Sequence, residues 1–376
     1  MRILHISSAQ SLGGGERHFA DLTNALAARG HDVYAALRPQ SPLAAKLSRL
    51  PASNVMTLPL RNALDAQSAR DLKRFITEHD IEIVHAHLAR DYPIAAYATR
   101  RVSSASLIVT RHVLFPLNRL HQITLLRAAR IIAVSQAVAL QLRSQRIVPP
   151  ERITVVLNGI DVDRFAKARE QFNRPEFLRS WGLPDEGFLV GTVGELKALK
   201  GHEEFVRAAK QVLYEFKNAY FIIAGVDASP NGENRTVLNS LIERLNLVDH
   251  VRIVGALEDI APLLCSLDVF VSASRMESFG LAIAEAMACS LAVVATETAG
   301  AREILGQGET GLLVPVGDAE ALASAVRALL NDEDKRRSLG NDARKAVSEH
   351  FSLDRMVETT EGIYRESMTR SRRMAV

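Results

Sequence analysis

Glu277 and Glu285 bracket a turn with the composition of an anion site. The apolar stretch Asp268–Ser274 before them reads as a buried strand. After Glu277 come Ser278-Phe279-Gly280-Leu281 and a helical segment from Leu281 to Ala288. The glutamates are eight residues apart, about two helical turns or 12 Å along an axis. At such a helix start the amides of Ser278, Phe279, Gly280 and Leu281 read as unpaired donors beside the positive dipole end, which suits phosphate. A carboxylate next to phosphate repels it unless something lies between. A sugar phosphate satisfies both, with hydroxyls toward Glu277 and phosphate toward the amides. The spacing equally allows Glu277 to cap the helix and Glu285 to be a solvated helix residue.

Other residues of interest fall at strand ends. Gly13-Gly14-Gly15-Glu16 follows a first strand, where glycines let backbone amides approach an anion; a plain turn is the alternative. It is neither the dinucleotide fingerprint nor a Walker loop. His112 ends the apolar strand Ser106–His112 and can hydrogen-bond a substrate hydroxyl or be satisfied by backbone. His85 and His87, at i and i+2, share one face. They make a conceivable metal pair, but no third ligand has suitable spacing, so no metal site is expected. Lys197 and Lys200, in Gly194-Glu195-Leu196-Lys197-Ala198-Leu199-Lys200-Gly201, can neutralise a diphosphate or stand solvated in a loop.

The elements that must position these residues alternate between strand and helix almost from end to end. Strands are expected at 2–7, 31–37, 55–60, 81–87, 106–112, 130–134 and 153–157. A second series is expected at 188–193, 219–224, 251–254, 269–273, 291–295 and 311–316. Such alternation implies parallel sheets covered on both faces, with ligands at the carboxyl ends of strands. Asp161–Gly187 is polar, contains Pro175 and Pro184, and reads as a linker. The expected fold class is α/β, two Rossmann-like domains facing across a cleft. Residues 1–165 form the first domain, 166–352 the second, and 353–376 a helix that crosses back to the first, with a basic tail.

With 47% hydrophobic and 24% charged residues, the chain has an ordinary soluble composition. No apolar run reaches the roughly 20 residues that span a bilayer. Cys265 and Cys289 read as buried thiols in a reducing compartment, and the expected location is cytoplasmic. The net charge of +3 hides an asymmetry: residues 1–165 carry 21 Lys+Arg against 12 Asp+Glu, and the rest carry 25 against 31. Arg111, Arg119, Arg127 and Arg130 lie close in sequence to Leu114, Phe115, Leu125 and Leu126. This points to peripheral contact with an anionic membrane, as against merely solvated arginines. The basic residues are scattered and lack an aromatic stacking stripe, so nucleic acid is not an expected partner.

In this order, the pieces resemble the retaining glycosyltransferases of family 4, which have the GT-B fold. The resemblance is carried by Gly13-Gly14-x-Glu16, His112, Asn158-Gly159-Ile160-Asp161, Lys200-Gly201, Thr310-Gly311-Leu312-Leu313-Val314 and Glu277-x7-Glu285 with Ser278-Phe279-Gly280-Leu281 inside it. It implies that the second domain binds a nucleotide-sugar, with Lys200 on the diphosphate. Phe279, Gly280 and Leu281 would contact phosphate and sugar, Glu277 the sugar hydroxyls and Glu285 the ribose. Gly14 would lie near the phosphate, flanked on the acceptor side by Gly13, Gly15 and Glu16. His112 would stand at the reacting edge, and catalysis would fall to His112, Glu277 and Lys200 without metal or other cofactor. One departure stands out: the family usually has an arginine where Glu195 stands, so Lys197 is expected to take its role or Glu195 to turn away and orient Lys200.

The expected activity is transfer of a hexose-type sugar, with retention, from a nucleoside diphosphate to an acceptor hydroxyl. A saccharide or lipid-linked acceptor in polysaccharide, lipopolysaccharide or glycolipid synthesis is expected. A nucleotide-sugar epimerase shares the architecture, and a non-catalytic two-domain sugar-binding protein is the non-enzymatic alternative.

Overall fold

The computed structural model describes residues 1–102, 104–184 and 186–374. The chain forms two compact units. One comprises residues 1–159 and the C-terminal segment from Leu353; the other is Ile160–Ser352. The change of unit falls at 159/160, where the sequence suggested 165/166.

The first unit holds seven strands: β1 Arg2–Ser7, β2 Asp32–Leu37, β3 Val55–Thr57, β4 Ile83–Ala86, β5 Ser106–Arg111, β6 Arg130–Ala133 and β7 Ile153–Val155. They are parallel, in the order β3-β2-β1-β4-β5-β6-β7. The second holds six: β8 Phe188–Val193, β9 Ala219–Ala224, β10 Val251–Val254, β11 Val269–Ser272, β12 Ala292–Thr296 and β13 Leu312–Val314. Their order is β10-β9-β8-β11-β12-β13. Both are doubly wound sheets. Strand order reverses between β1 and β4 in one and between β8 and β11 in the other, and such switch points hold ligands at the strands' carboxyl ends. Continuous β-branched and apolar runs make these strands. Every residue of β11 and β12 is buried, as expected for a parallel sheet with helices on both faces.

The helix Leu353–Met374 packs on the first unit. Met356, Val357, Ile363 and Tyr364 join Ile3, Leu22, Ile83, Ile108 and Ile132 in one apolar core. The second unit's core gathers Val190, Phe205, Phe221, Val269 and Leu322. Its two chain ends meet, with Ile160 N–H donating to Phe351 C=O at 2.9 Å.

The expected linker is helical over two stretches, Val162–Glu170 and Arg174–Ser180. Asp161 and Asn173 cap them by accepting from Arg164 and Glu176 N–H at 3.0 and 3.3 Å. Pro175 sits in the first turn, where a missing N–H costs nothing and the fixed φ favours the helix. It starts a helix there instead of breaking one. Among the described residues no helix is long and apolar enough to cross a membrane.

Candidate functional site

In the second unit, the loops after β8 and β11 flank the switch point and bring Lys200 and Glu277 together. Lys200 Nζ is ion-paired with Glu277 Oε1, and Ser274 Oγ donates to the same oxygen at 2.9 Å. The Lys200 and Glu277 side chains keep 24% and 15% of their exposure, so the pair is sheltered yet reachable. Arg275 N–H donates to Leu199 C=O at 2.8 Å and ties the loops. Gly201 makes this approach possible. It has φ +65°, and a Cβ there would lie 1.9 Å from Ala273 C=O.

Glu277 does not cap the helix. The cap residue is Gly280 at φ 106°, and the helix runs Leu281–Ala288. Ala284 N–H is the first to bond back, to Gly280 C=O at 3.1 Å. The donors lacking an intrahelical acceptor are thus those of Leu281, Ala282 and Ile283. Ser278, Phe279 and Gly280 precede the helix and form the approach to it. Phe279 is buried and meets the Phe351 ring edge-on at 5.7 Å. Glu285, one turn after Leu281, is only 2% exposed, which removes its reading as a solvated residue. A carboxylate is buried only with partners, and Glu285 has one.

Glu195 pairs with Lys197 at 2.6 Å, both about two-fifths exposed. Its backbone carbonyl meets His202 Nε2 at 3.1 Å. Lys197 is thereby held by Glu195, apart from the Lys200–Glu277 pair.

In the first unit the glycine loop leads into the helix Gly14–Ala28. Gly13 is its cap, and Glu16 Oε2 accepts from Gly13 N–H at 3.0 Å. Glu16 therefore holds the loop closed. His112 lies against this loop, 3.4 Å from where a Gly15 Cβ would stand. On the other side its ring meets His18 edge-on at 4.8 Å and His87 stacked at 5.8 Å. Neither His112 nitrogen has a hydrogen-bond partner among the described residues. Burial, then the charges of His18 and Arg111, hold its pKa well below the usual value, so the ring is neutral.

His112, itself half-buried with both nitrogens enclosed, belongs with four buried histidines to a group of five that the sequence did not reveal. His5 Nδ1 meets His87 Nε2 at 3.0 Å. His85 is spanned by Tyr364 OH at 2.6 Å and Thr110 Oγ1 at 2.7 Å. Burial lowers His5 to about 3 and His18 to about 4. It also pushes His85 and His87 well below the ordinary range. The expectation that His85 and His87 lack a third ligand partner does not hold. His5 completes one trio with them, and His18 and His112 complete another with His87. These partners come from β1, the first helix and the end of β5, beyond the reach of local spacing.

The basic and apolar patch is also rearranged. Arg111 and Arg130 are 5% and 7% exposed and Leu125 is buried at 1%. Arg111 bonds to Phe115 C=O, and Arg130 pairs with Glu366 at 3.3 Å. What remains outside is Val113, Phe115, Ile123 and Leu126, with Arg119 and Arg127.

Comparison with known proteins bears on both units. The family described as "Glycosyl transferases group 1" matches residues 173–346, and "Glycosyltransferase Family 4" matches residues 12–164. An N-acetyl-alpha-D-glucosaminyl L-malate synthase of Bacillus anthracis is 26% identical over 310 residues, 80% of this chain and 78% of that protein. The lipopolysaccharide core biosynthesis mannosyltransferase LpsB of Rhizobium meliloti is 29% identical over 217 residues, 57% of this chain and 61% of that one. In fold, the crystal structure of Anabaena HepE in complex with UDP and glucose superposes with a TM-score of 0.83 at 21% identity. That match covers 96% of this chain and 98% of HepE.

Proposed function

This chain belongs to the group 1, family 4 glycosyltransferases, and from that premise we propose that it moves a sugar, with retention, from a nucleoside diphosphate to an acceptor hydroxyl. The observation that carries the proposal is the Lys200–Glu277 pair at the switch point of the second unit, beside the unpaired amides of Leu281, Ala282 and Ile283. Cation and amides suit a diphosphate, and the carboxylate suits sugar hydroxyls. Without ligand they neutralise each other. A donor's phosphates compete for Lys200, and the released Glu277 carboxylate then accepts from sugar hydroxyls.

In the transfer itself, charge grows on the departing diphosphate. Lys200 and the fixed amides stabilise that charge with little reorganisation, usually the largest single contribution to such catalysis. The acceptor hydroxyl attacks on the leaving group's face, its proton passing to the departing phosphate oxygen. A double displacement with Glu277 as nucleophile ranks lower, because the Glu277 carboxylate, once released from Lys200, is assigned to the sugar hydroxyls. His112, neutral and set against the glycine loop, offers a donor or acceptor to a sugar hydroxyl. Glu285 is assigned to the ribose and Gly14 to the phosphate side. Gly13, Gly15 and Glu16 shape the acceptor side. The residues named suffice for this chemistry without a metal.

The acceptor is assigned to a saccharide or lipid-linked saccharide, a class consistent with the lipopolysaccharide role printed for LpsB. Exposed Phe115, Ile123 and Leu126 near Arg119 and Arg127 suit peripheral contact with an anionic bilayer. Thermal-shift screening against nucleotide-sugars, followed by mass spectrometry of the released nucleotide, tests the reading. One donor should stabilise the wild type, and Lys200→Ala should lose that effect. No stabilisation by any nucleotide-sugar would remove the assignment.

A further inference from the structure

The buried histidines of the first unit are not all accounted for by transfer. Only His112 has a part in it, yet four more imidazoles are sequestered from water around it. Their hydrogen bonds divide them into two sets. His85 has both nitrogens engaged, by Tyr364 and Thr110. His5 and His87 share one contact, leaving His5 Nε2 and His87 Nδ1 each without a partner among the described residues. His18 and His112 have no partner on either nitrogen. His18 and His87 are each 3% exposed, so water does not readily satisfy them. Buried polar atoms are nearly always hydrogen-bonded. Four rings keep an unpartnered nitrogen among the described residues, and three of them, His18, His87 and His112, bring ligand atoms close together, which asks for a ligand.

We propose that His18, His87 and His112 form a binding site for a zinc-type transition-metal ion. Their ligand atoms lie within 4.8 Å of one another. Zn–N bonds of about 2.0–2.1 Å in a tetrahedron place ligand nitrogens about 3.4 Å apart, so no pair of rings has to draw in by more than about 1.4 Å. Three histidines leave the fourth position open to water or an oxygen ligand. Imidazole suits zinc, copper and nickel, and disfavours magnesium or calcium, which want oxygen.

The surroundings favour the assignment. A histidine ligating through one nitrogen usually gives its other N–H to an acceptor that fixes the ring. His87 can ligate through Nδ1 while Nε2–H donates to His5 Nδ1 at 3.0 Å. That makes His5 a positioning residue. His85 then holds Tyr364 and Thr110 and stays out of the ligand set. Asn158 lies close enough to His18 to favour its protonated form; its Oδ1 makes no full hydrogen bond among the described residues and can accept from the distal N–H of His18. One feature opposes binding: His18 lies near the positive end of the helix Gly14–Ala28, which disfavours a cation.

Occupancy removes His112 from the sugar, so the metal inhibits transfer. This consequence rests on the proposed function; the binding itself does not. The test is a titration of untagged, chelator-stripped full-length chain with Co2+, followed by Zn2+, with neither donor nor acceptor present. The expected result is one equivalent of Co2+ with the intense visible bands of a tetrahedral site, displaced by Zn2+. His18→Phe and His87→Phe should abolish the bands, and His5→Phe should weaken affinity about 10–100-fold. Circular dichroism and melting report whether each variant folds. Weak, six-coordinate-type bands in the wild type would overturn the site whatever the variants do. So would bands that survive both ligand substitutions, which would place the ion on surface histidines. Inhibition of transfer by Zn2+, reversed by chelator, reads the consequence separately.

Discussion

The two units present their chemistry in opposite electrostatic states. The second unit offers charge: Lys200 against Glu277, Lys197 against Glu195 and Arg275 against Glu204, all on loops after β8 and β11 or the helix that follows. The first unit offers neutral polar groups in a sheltered setting, with five histidines, four buried and one half-buried, lowered by desolvation. Charged groups kept within reach of water can change partner when an anion arrives. Neutral groups kept sheltered hold position and pick out hydroxyls or a metal ion by geometry. The same doubly wound sheet thus supports both sites. The difference lies in which side chains stand at its carboxyl edge.

The largest expected effect follows from that contrast and concerns pH. The unfolded chain takes up protons on histidine below about pH 6.5, while these histidines in the folded protein do not. Stability is therefore whole above about pH 6.5 and falls as pH drops from there toward the folded values, by about 1.4 kcal/mol per pH unit for each histidine kept neutral. Asp91, raised by burial to about 6, works the other way. It costs stability above that pH, and the cost fades on acidification toward its ordinary 3.8. In the first unit this carboxyl opposes five imidazoles, and in the second Asp268, also raised by burial, opposes His202, lowered by burial to about 4, so the net is a loss that falls mainly on the first unit. Denaturant melts of chelator-treated protein at about pH 7.5 and 5.5 read it. The only tryptophan, Trp181, lies in the second unit. Its fluorescence should shift less than the far-ultraviolet circular dichroism, and equal shifts would break the contrast.

Next in size is Lys200→Ala, expected to lower kcat about 10²–10³-fold, some 2.7–4 kcal/mol of transition-state stabilisation, with little change in melting. The glycines sharpen the comparison between units. Gly201→Ala combines a positive φ with a Cβ 1.9 Å from Ala273 C=O and should cost about 2–4 kcal/mol of stability. Gly15→Ala meets only ordinary contact with His112 and should stay within about 1 kcal/mol. Tyr364→Phe leaves His85 Nδ1 buried without its 2.6 Å partner, at about 1–3 kcal/mol. The smallest effect is Glu195→Arg. Freeing Lys197 and adding a cation on an exposed loop should tighten donor binding less than about fivefold, in line with the 0–1 kcal/mol of surface pairs, read by calorimetry.

Much of the scaffold was legible because parallel strands are continuous apolar runs. The helix Leu281–Ala288 and the strands Phe188–Val193 and Ala219–Ala224 have the bounds that the sequence suggested. The helices Val162–Glu170 and Arg174–Ser180 were hidden by polar composition and by Pro175, whose place at a helix start shows only once Asn173 is seen capping it. Lys200 and Glu277 could be named separately from their loops. Their contact depends on β8 lying beside β11, which is a matter of topology. The histidine cluster was least legible. Residues 5, 18, 87 and 112 meet only after the sheet forms, and no spacing rule joins them. The inward turn of Arg111, Arg130 and Leu125 was likewise invisible, since basic residues in sequence do not reveal which of them reach solvent.

The central claim is that the second unit holds a nucleotide-sugar diphosphate on Lys200, displacing it from Glu277. Calorimetric titration of the donor into wild type, Lys200→Ala and Glu277→Gln tests this directly. Loss of Lys200 should weaken binding at least tenfold, about 1.4 kcal/mol. Glu277→Gln, which removes the competing carboxylate charge, should bind the free nucleoside diphosphate as tightly as wild type or tighter. Equal affinity of wild type and Lys200→Ala for the donor would contradict the account.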